Sequence, residues 1–286
     1  LHYRELMNVS APAKINLYLN ILGRRPDGFH ELETLMCPLE LADTMEFTPL
    51  PSGIEIVVAG ADLSPGPDNL VHRAATALQT LTGTRRGVRI VLHKKIPMGG
   101  GLAGGSSNAA KTLLALNTLW ECHLPEADLH TLAAGLGSDV NLFLQSGPAI
   151  CTGRGENIRP VSLSAQPWVL LANPGFGVPT PWAFKTYAAL ETKTGTPGRT
   201  LPWIDGGLTL RNDLEPAVFT KYLWIAEAKQ WLQSQPMVID SLMSGSGATV
   251  FALTETEADA RLLLDSARTH FGPACWLQIT RLAPSP

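Results

Sequence analysis

The sequence predicts an α+β fold in two domains, 1–156 and 157–286. At 286 residues the chain is long for one hydrophobic core and sufficient for two. Stretches with a two-residue hydrophobic period alternate with stretches of helical period, without the strict regularity of a parallel strand–helix–strand sheet. A glycine-punctuated segment, "GPAICTGRGE" at 147–156, separates two rounds of that alternation.

The first round opens with "AKINLYLNIL" (13–22). Ala13, Ile15, Leu17, Leu19 and Ile21 form one face and Lys14, Asn16, Tyr18 and Asn20 the other, so a half-buried strand is expected. It holds Lys14 and Asn16 side by side on its polar face. "RRPDGFHE" (24–31) contains Pro-Asp-Gly and reads as a hairpin loop; "DTMEFTPL" and "GIEIVVAG" read as further strands. "PDNLVHRAATALQTL" (67–81) spaces Leu70, Ala74, Leu78 and Leu81 as a helix does, with Asp68 or Asn69 as its N-cap. "GVRIVLHKKIP" (87–97) returns to period two. After the glycine run, Ser106 or Ser107 is placed to cap a helix carrying Ala110, Leu113, Leu114 and Leu116. A helix opening at Pro125 is expected to bury Leu129, Leu132, Ala133 and Leu136, and it leads into "GLGSDVNLFL".

The second round begins near residue 157. "WVLLANPG" reads as a strand, "PTPWAFKTYAAL" as a proline-led helix and "KYLWIAEAKQWL" as another helix. "MSGSGATVFALT" is a loop feeding a strand, "ETEADARLLLDSA" a helix and "CWLQITRL" a closing strand. The segment from about 190 to 211 is rich in Gly, Pro and Thr and is expected to be an exposed loop.

Composition narrows the function classes. Hydrophobic residues make up 45% and charged residues 16%, which suits a compact globule and argues against disorder. A net charge of −3 offers no broad basic surface, so neither nucleic acid nor an anionic membrane is an expected partner. Cys37, Cys122, Cys151 and Cys275 form no C-x-x-C pair and lie near no histidine cluster, so reduced thiols are expected rather than zinc ligands. The N-terminal "LHYRELMNVSAPAK" has no apolar signal core, and the longest apolar runs are strand-sized. A cytoplasmic protein, monomeric or weakly dimeric, is the expectation.

The chemistry is concentrated in "PMGGGLAGGSSNAA" (97–110), which places five glycines in the seven positions 99–105. Gly99, Gly101 and Gly104 fit G-x-G-x-x-G, yet the acidic residue that a dinucleotide fold needs at a strand end is missing; Glu121 follows a helix. No lysine follows the last glycine, so a Walker A loop is excluded. A tight turn without ligand remains the plain structural reading. The physics favours an anion: glycines let backbone wrap a polyphosphate, a helix N-terminus presents unsatisfied N–H groups, and Ser106, Ser107 and Lys94 or Lys95 add donors and charge. Lys14 in "APAKIN" and Asp139 in "GSDVNLF" supply the cation and carboxylate that phosphoryl transfer requires, although alone they would read as a solvated strand lysine and a helix cap.

The chain resembles the GHMP kinases, the superfamily named for galactokinase, homoserine kinase, mevalonate kinase and phosphomevalonate kinase. "PAKINLYL", the glycine–serine loop and "SGSGATVFAL" (244–253) appear in the expected order and span nearly the whole chain. Within the superfamily it is most similar to the branch that phosphorylates the 2-hydroxyl of 4-diphosphocytidyl-2-C-methyl-D-erythritol, on the route to isoprenoid precursors. "GRRPDGFHELET", the lengthened glycine loop, "GSDVNLF" and "NPGFGVPTPWAFK" carry that likeness.

The resemblance implies a two-domain fold with its active site in the interdomain cleft, and a catalytic pair Lys14 and Asp139. ATP would be bound by Pro97, Met98, Gly99, Gly100, Gly101, Leu102, Ala103, Gly104, Gly105, Ser106 and Ser107, with Asn69 and Lys94 lining the adenosine side. His30 would bond the cytosine edge between Phe29 and Phe184, and Asn16 and Thr180 would contact the diphosphate-methylerythritol portion. Phe29 stands where many relatives carry Tyr, which keeps stacking and removes a phenolic hydrogen bond. The loop from Ser244 to Gly247 would close over the reacting region. Mg²⁺ is implied with ATP, held by phosphate oxygens, water and a loop serine, since Asp139 is the only evident acidic ligand. The competing readings are another small-molecule GHMP kinase acting on mevalonate, homoserine or a sugar, a catalytically silent nucleotide sensor on the same fold, and a nicotinamide dehydrogenase.

Overall fold

The structure, a computed structural model, describes residues 6–191, 198–203 and 207–284. In chain order the first elements are β1 (Met7–Arg24), β2 (His30–Leu50), β3 (Ile54–Ala59), α1 (Leu70–Thr82), β4 (Gly87–His93), α2 (Gly104–Leu119) and α3 (Glu126–Leu136). A 3₁₀ turn over Asn141–Leu144 follows, then β5 (Ala149–Gly153), β6 (Asn157–Pro160), β7 (Trp168–Asn173) and α4 (Thr180–Ala189). The remainder is β8 (Thr200–Leu201), β9 (Leu208–Thr209), β10 (Arg211–Asn212), α5 (Glu215–Phe219), α6 (Leu223–Gln233), β11 (Asp240–Met243), β12 (Val250–Thr254), α7 (Glu257–Phe271) and β13 (Trp276–Arg281). These form two compact units that interleave along the chain. The first takes the described residues up to Ala13 with Leu41–Ile96 and Ala103–Ser146; the second takes Lys14–Glu40, Pro97–Leu102 and the chain from Gly147 onward.

In the first unit the later half of β2 pairs antiparallel with β4, and β4 pairs parallel with β3. Phe47, Ile90 and Leu92 from these strands are fully buried. Helix α1 starts where Asn69 accepts a hydrogen bond from Val71 N at 2.9 Å and stops at Gly83, whose φ of 68° suits glycine. It buries Val71, Ala74, Ala75 and Leu78, whereas Leu81, expected on that face, is 53% exposed. The last turn is hydrogen-bonded and capped, but Leu81 there is not covered by a neighbouring element. In α3, Leu129 and Ala133 are buried but Leu132 and Leu136 only partly, and Pro125 sits one residue outside the helix as its N-cap.

Neither serine caps α2. The helix begins at Gly104, with Ala103 as N-cap in the left-handed region (φ 54°), so Ser106 and Ser107 lie inside the first turn. A Cβ on Gly104 would meet Ile96 and the Lys94 ammonium at 3.0–3.1 Å, so the helix start is closely seated and a larger residue there would need these side chains to shift.

The apolar row of β1 is buried as its alternation requires: Ala13 closes the first unit's share of the strand, and Ile15, Leu17, Leu19 and Ile21 lie in the second unit. The first half of β2 pairs with β5, β5 pairs with β6, and β1 pairs parallel with β10. A separate antiparallel sheet runs β11-β12-β7-β13. Its strands β7 and β12 pack Leu170, Ala172, Val250 and Ala252 against Ile225 and Leu232 of α6 and Leu263 of α7. The expected exposed loop over 190–211 is not uniformly one: β8 and β9 pair as a two-stranded ribbon, and Leu201 and Leu210 are buried. Residues 192–197 and 204–206 of that segment lie outside the described residues. Among the described residues no helix is long and apolar enough to cross a membrane.

Candidate active site

Within the second unit, β1 turns Lys14 and Asn16 away from its apolar row, but not into solvent: both are buried. The polar face is therefore not a solvated one, because the glycine loop covers it. Lys14 Nζ donates to the Gly101 carbonyl at 2.9 Å and to Asn16 Oδ1 at 2.7 Å, and Lys14 N donates to the Leu102 carbonyl at 3.0 Å. Asn16 Nδ2 donates to Thr34 Oγ1 at 2.8 Å, and that hydroxyl donates to the Tyr18 carbonyl at 2.5 Å. A buried ammonium is tolerable only when such partners surround it.

The same loop is held from its other side by the serine–glycine segment before β12. Ser244 Oγ donates to the Gly101 carbonyl at 3.0 Å, and Thr249 N donates to the Gly100 carbonyl at 3.1 Å. The approach leaves no room for side chains. A Cβ on Gly101 would stand 2.1 Å from the Ser244 carbonyl oxygen, and one on Gly100 would stand 2.6 Å from Asn173 Nδ2. Gly245 lies against Lys14 Nζ, at 3.4 Å from where its Cβ would be. Gly99 packs on Gly177 of the loop before α4, Pro97 opens the segment, and Met98 is half exposed beside them.

A second cluster in this unit is aromatic. His30, at the start of β2, stacks on Phe184 of α4 with ring centroids 5.1 Å apart and meets the edge of Tyr187 at 6.5 Å. Phe29 is 52% exposed in the turn that Gly28 (φ 87°) makes possible, and the Arg154 guanidinium lies 5.0 Å above its ring. Thr180, the first residue of α4, shares a hydrogen bond with Ser246 at 2.9 Å. His30, Phe184 and Thr180 are thus brought into one neighbourhood of α4, while Phe29 faces Arg154 rather than Phe184.

In the first unit Asn69 spends both ends of its amide on structure, accepting from Val71 N and donating to the Ser64 carbonyl at 2.9 Å. The Lys94 side chain is buried and its ammonium is bound by the Asp43 carboxylate and by Asn108 Oδ1 at 3.2 Å. Asp43 is fully buried and also accepts from Lys95 N, Ile96 N and Asn108 Nδ2 at 2.7, 2.9 and 3.0 Å. This knot anchors the strand leading to the glycine run and the first turns of α2. Asp43→Ala, which strands the Lys94 ammonium, is expected to cost about 3–5 kcal/mol in urea denaturation. A loss below 1 kcal/mol would contradict that role.

Gly105 and Ser106 open α2, and Ser107 Oγ is buried without a hydrogen-bond partner among the described residues. Asp139 is partly buried in the turn closed by Val140 N donating to the Gly137 carbonyl at 3.2 Å, just before the 3₁₀ turn.

Residues 69–152 match the GHMP kinases N terminal domain and residues 197–273 the GHMP kinases C terminal domain. A 4-diphosphocytidyl-2-C-methyl-D-erythritol kinase from Methylacidiphilum infernorum is 46% identical over 279 residues, covering 96% of this chain and 96% of that one. The chain belongs to the 4-diphosphocytidyl-2-C-methyl-D-erythritol kinase family, a branch of the GHMP kinases. A solved 4-(cytidine 5′-diphospho)-2C-methyl-D-erythritol kinase is 35% identical, with a TM-score of 0.80 over 97% of this chain and 100% of that one. The homoserine kinase from Cytophaga hutchinsonii, 17% identical with a TM-score of 0.74 over 99% and 97% of the two chains, shares the fold.

As a member of this kinase family the chain is an ATP-dependent phosphotransferase. In this GHMP kinase several site neighbours escaped the sequence reading. Tyr187 had a signal, since it lies one helical turn after Phe184 and shares its face. Asp43, Thr34 and Arg154 had none, because only strand pairing and tertiary contact bring them to their partners.

Proposed function

We propose that this GHMP kinase transfers the γ-phosphoryl group of ATP to the 2-hydroxyl of 4-diphosphocytidyl-2-C-methyl-D-erythritol. One observation supports the reading: the second unit holds a buried ammonium, Lys14 of β1, at the glycine loop and, where β2 of the same sheet meets α4, a stacked His30–Phe184 pair suited to a nucleobase. The glycine run from Pro97 to Ser107 would receive the triphosphate through its backbone N–H groups, the two flanking anchors keeping it in one shape. The acceptor oxygen forms the new bond to the γ-phosphorus, the bond to the β,γ-bridging oxygen breaks, and ADP leaves with that electron pair. The hydroxyl proton passes to Asp139. In a loose transition state it moves late, so placement of that carboxylate outweighs its basicity. Lys14 offsets the charge on the transferring group.

Mg²⁺ fits the residues present in a limited way. Among the described residues no three His, Cys, Asp or Glu side chains are grouped to hold a metal, whereas Ser107 Oγ offers a buried hydroxyl with no other bond. Ser107 would supply one ligand, and phosphate oxygens and water the others. When bound, the ion neutralises phosphate charge.

The acceptor end has its own expectation. His30→Ala should raise the KM for the cytidine-linked acceptor about 10-fold or more, the worth of a charged or neutral base-edge hydrogen bond with its stacking, and leave the KM for ATP nearly unchanged. An unchanged acceptor KM would count against the pocket. The reaction itself is tested by following ADP release with 4-diphosphocytidyl-2-C-methyl-D-erythritol beside mevalonate and homoserine. Turnover is expected with the first alone; equal or better turnover of either other alcohol would overturn the reading.

A further inference from the structure

We propose that Arg211 is a specificity-determining residue that recognises the diphosphate of a nucleoside-diphosphate-linked acceptor. The proposal rests on the acceptor reading above and extends it to a residue outside the site motifs. Strand β10 pairs parallel with β1 in the register Tyr18↔Arg211, so the two side chains share a face. On β1 that face is the one carrying Lys14 and Asn16, and Tyr18 stands one pleat, roughly 7 Å, beyond Asn16.

The surroundings of Arg211 fit a held but unspent cation. Its Nε donates to Asp213 Oδ1 at 2.5 Å, and Asp213 is itself buried and fixed by Ile21 N at 2.9 Å on its other oxygen. That pair orients the guanidinium. Among the described residues its two terminal amino groups have no hydrogen-bond acceptor, and the side chain is about a quarter exposed. Burial raises the pKa of both Tyr18 and Tyr187, Glu33 adding to the first and Asp213 to the second, and Arg211 is the cation that opposes the rise at both phenols. Glu33, the acidic side chain beside Tyr18, is engaged by the Tyr18 hydroxyl at 3.2 Å.

The order of groups follows. Lys14 marks the reacting end at Gly101, Arg211 stands beside Tyr18 farther along the face, and Tyr187 links that point to the His30 ring. In a cytidine-diphosphate-linked alcohol the diphosphate lies between the base and the reacting hydroxyl. A guanidinium with two free amino groups matches a diphosphate there, and mevalonate or homoserine has no such group to offer.

Calorimetric titration with CDP and with cytidine tests this. The wild-type protein should bind CDP about 10- to 100-fold more tightly than cytidine, the range of one or two charge-assisted hydrogen bonds. Arg211→Gln should bind cytidine as before and lose that preference, and Arg211→Lys, which keeps the charge without the fork, should retain part of it. A full CDP preference in Arg211→Gln would overturn the proposal, as would equal weakening of both ligands, the mark of a purely structural ion pair. If the wild-type protein bound neither ligand, the acceptor reading itself would fall, a distinct failure.

Discussion

Lys14→Met is expected to lower kcat by about 10³-fold while leaving the KM for ATP within a few-fold of wild type. Removing one preorganised charge from a phosphoryl-transfer site costs about 10²–10³ or more in rate. The substitution keeps the length and apolar stem of the side chain, and the Gly101 carbonyl retains its bond from Ser244 Oγ. The loop should therefore stay closed, and the loss should appear in turnover rather than in nucleotide affinity. Steady-state kinetics with both substrates varied separates the two; a kcat within 10-fold of wild type would remove Lys14 from the chemistry.

Gly101→Ala should be worse for the molecule as a whole. The residue sits at φ 78°, where a Cβ costs roughly 1–2 kcal/mol, and that Cβ would be driven to 2.1 Å from the Ser244 carbonyl oxygen. Neither neighbour is a flexible side chain; both are backbone, so the glycine loop and the serine–glycine segment must part. Adding the strain of overpacking gives an expected loss of about 3–5 kcal/mol in denaturation, with ATP-dependent activity abolished. Gly83→Ala is the control. Gly83 has a similar φ of 68° but nothing within 4 Å of its missing Cβ, so only the conformational cost of about 1 kcal/mol is expected. Equal losses at the two positions would show that the close approach at Gly101 is unimportant.

Much of this was legible in the sequence where a local rule governs. The alternation of Ala13 to Ile21 encodes one buried face, and Asn69 caps α1 because its side chain reaches a nearby N–H without tertiary help. The glycine run was legible as backbone that must bend or be approached, although not by what. Local rules fail where long-range contact decides. Lys14 and Asn16 look solvated by type, and they are buried because the loop from residues 97–102 covers them. Strand β2 extends to His30, past the stretch its pattern announces, because "ELETLMCPLEL" does not alternate: it is buried on both faces over Leu35–Leu39 and interrupted by Pro38. Strand β11 is four buried residues with no period to detect. Ser106 and Ser107 are good capping residues on statistics, yet the close seat of Gly104 starts the helix before them.

In the proposed reading a base meets His30 and Phe184, a diphosphate meets Arg211 and a terminal phosphate meets Lys14, all of them residues of the second unit. The most direct test is a crystal structure of the protein with a non-hydrolysable ATP analogue and 4-diphosphocytidyl-2-C-methyl-D-erythritol. The terminal phosphorus of the analogue is expected beside Lys14, its triphosphate on the backbone of Gly99–Ser107, and cytosine against the His30–Phe184 pair. A triphosphate bound away from that loop, or cytosine seated elsewhere, would contradict this reading.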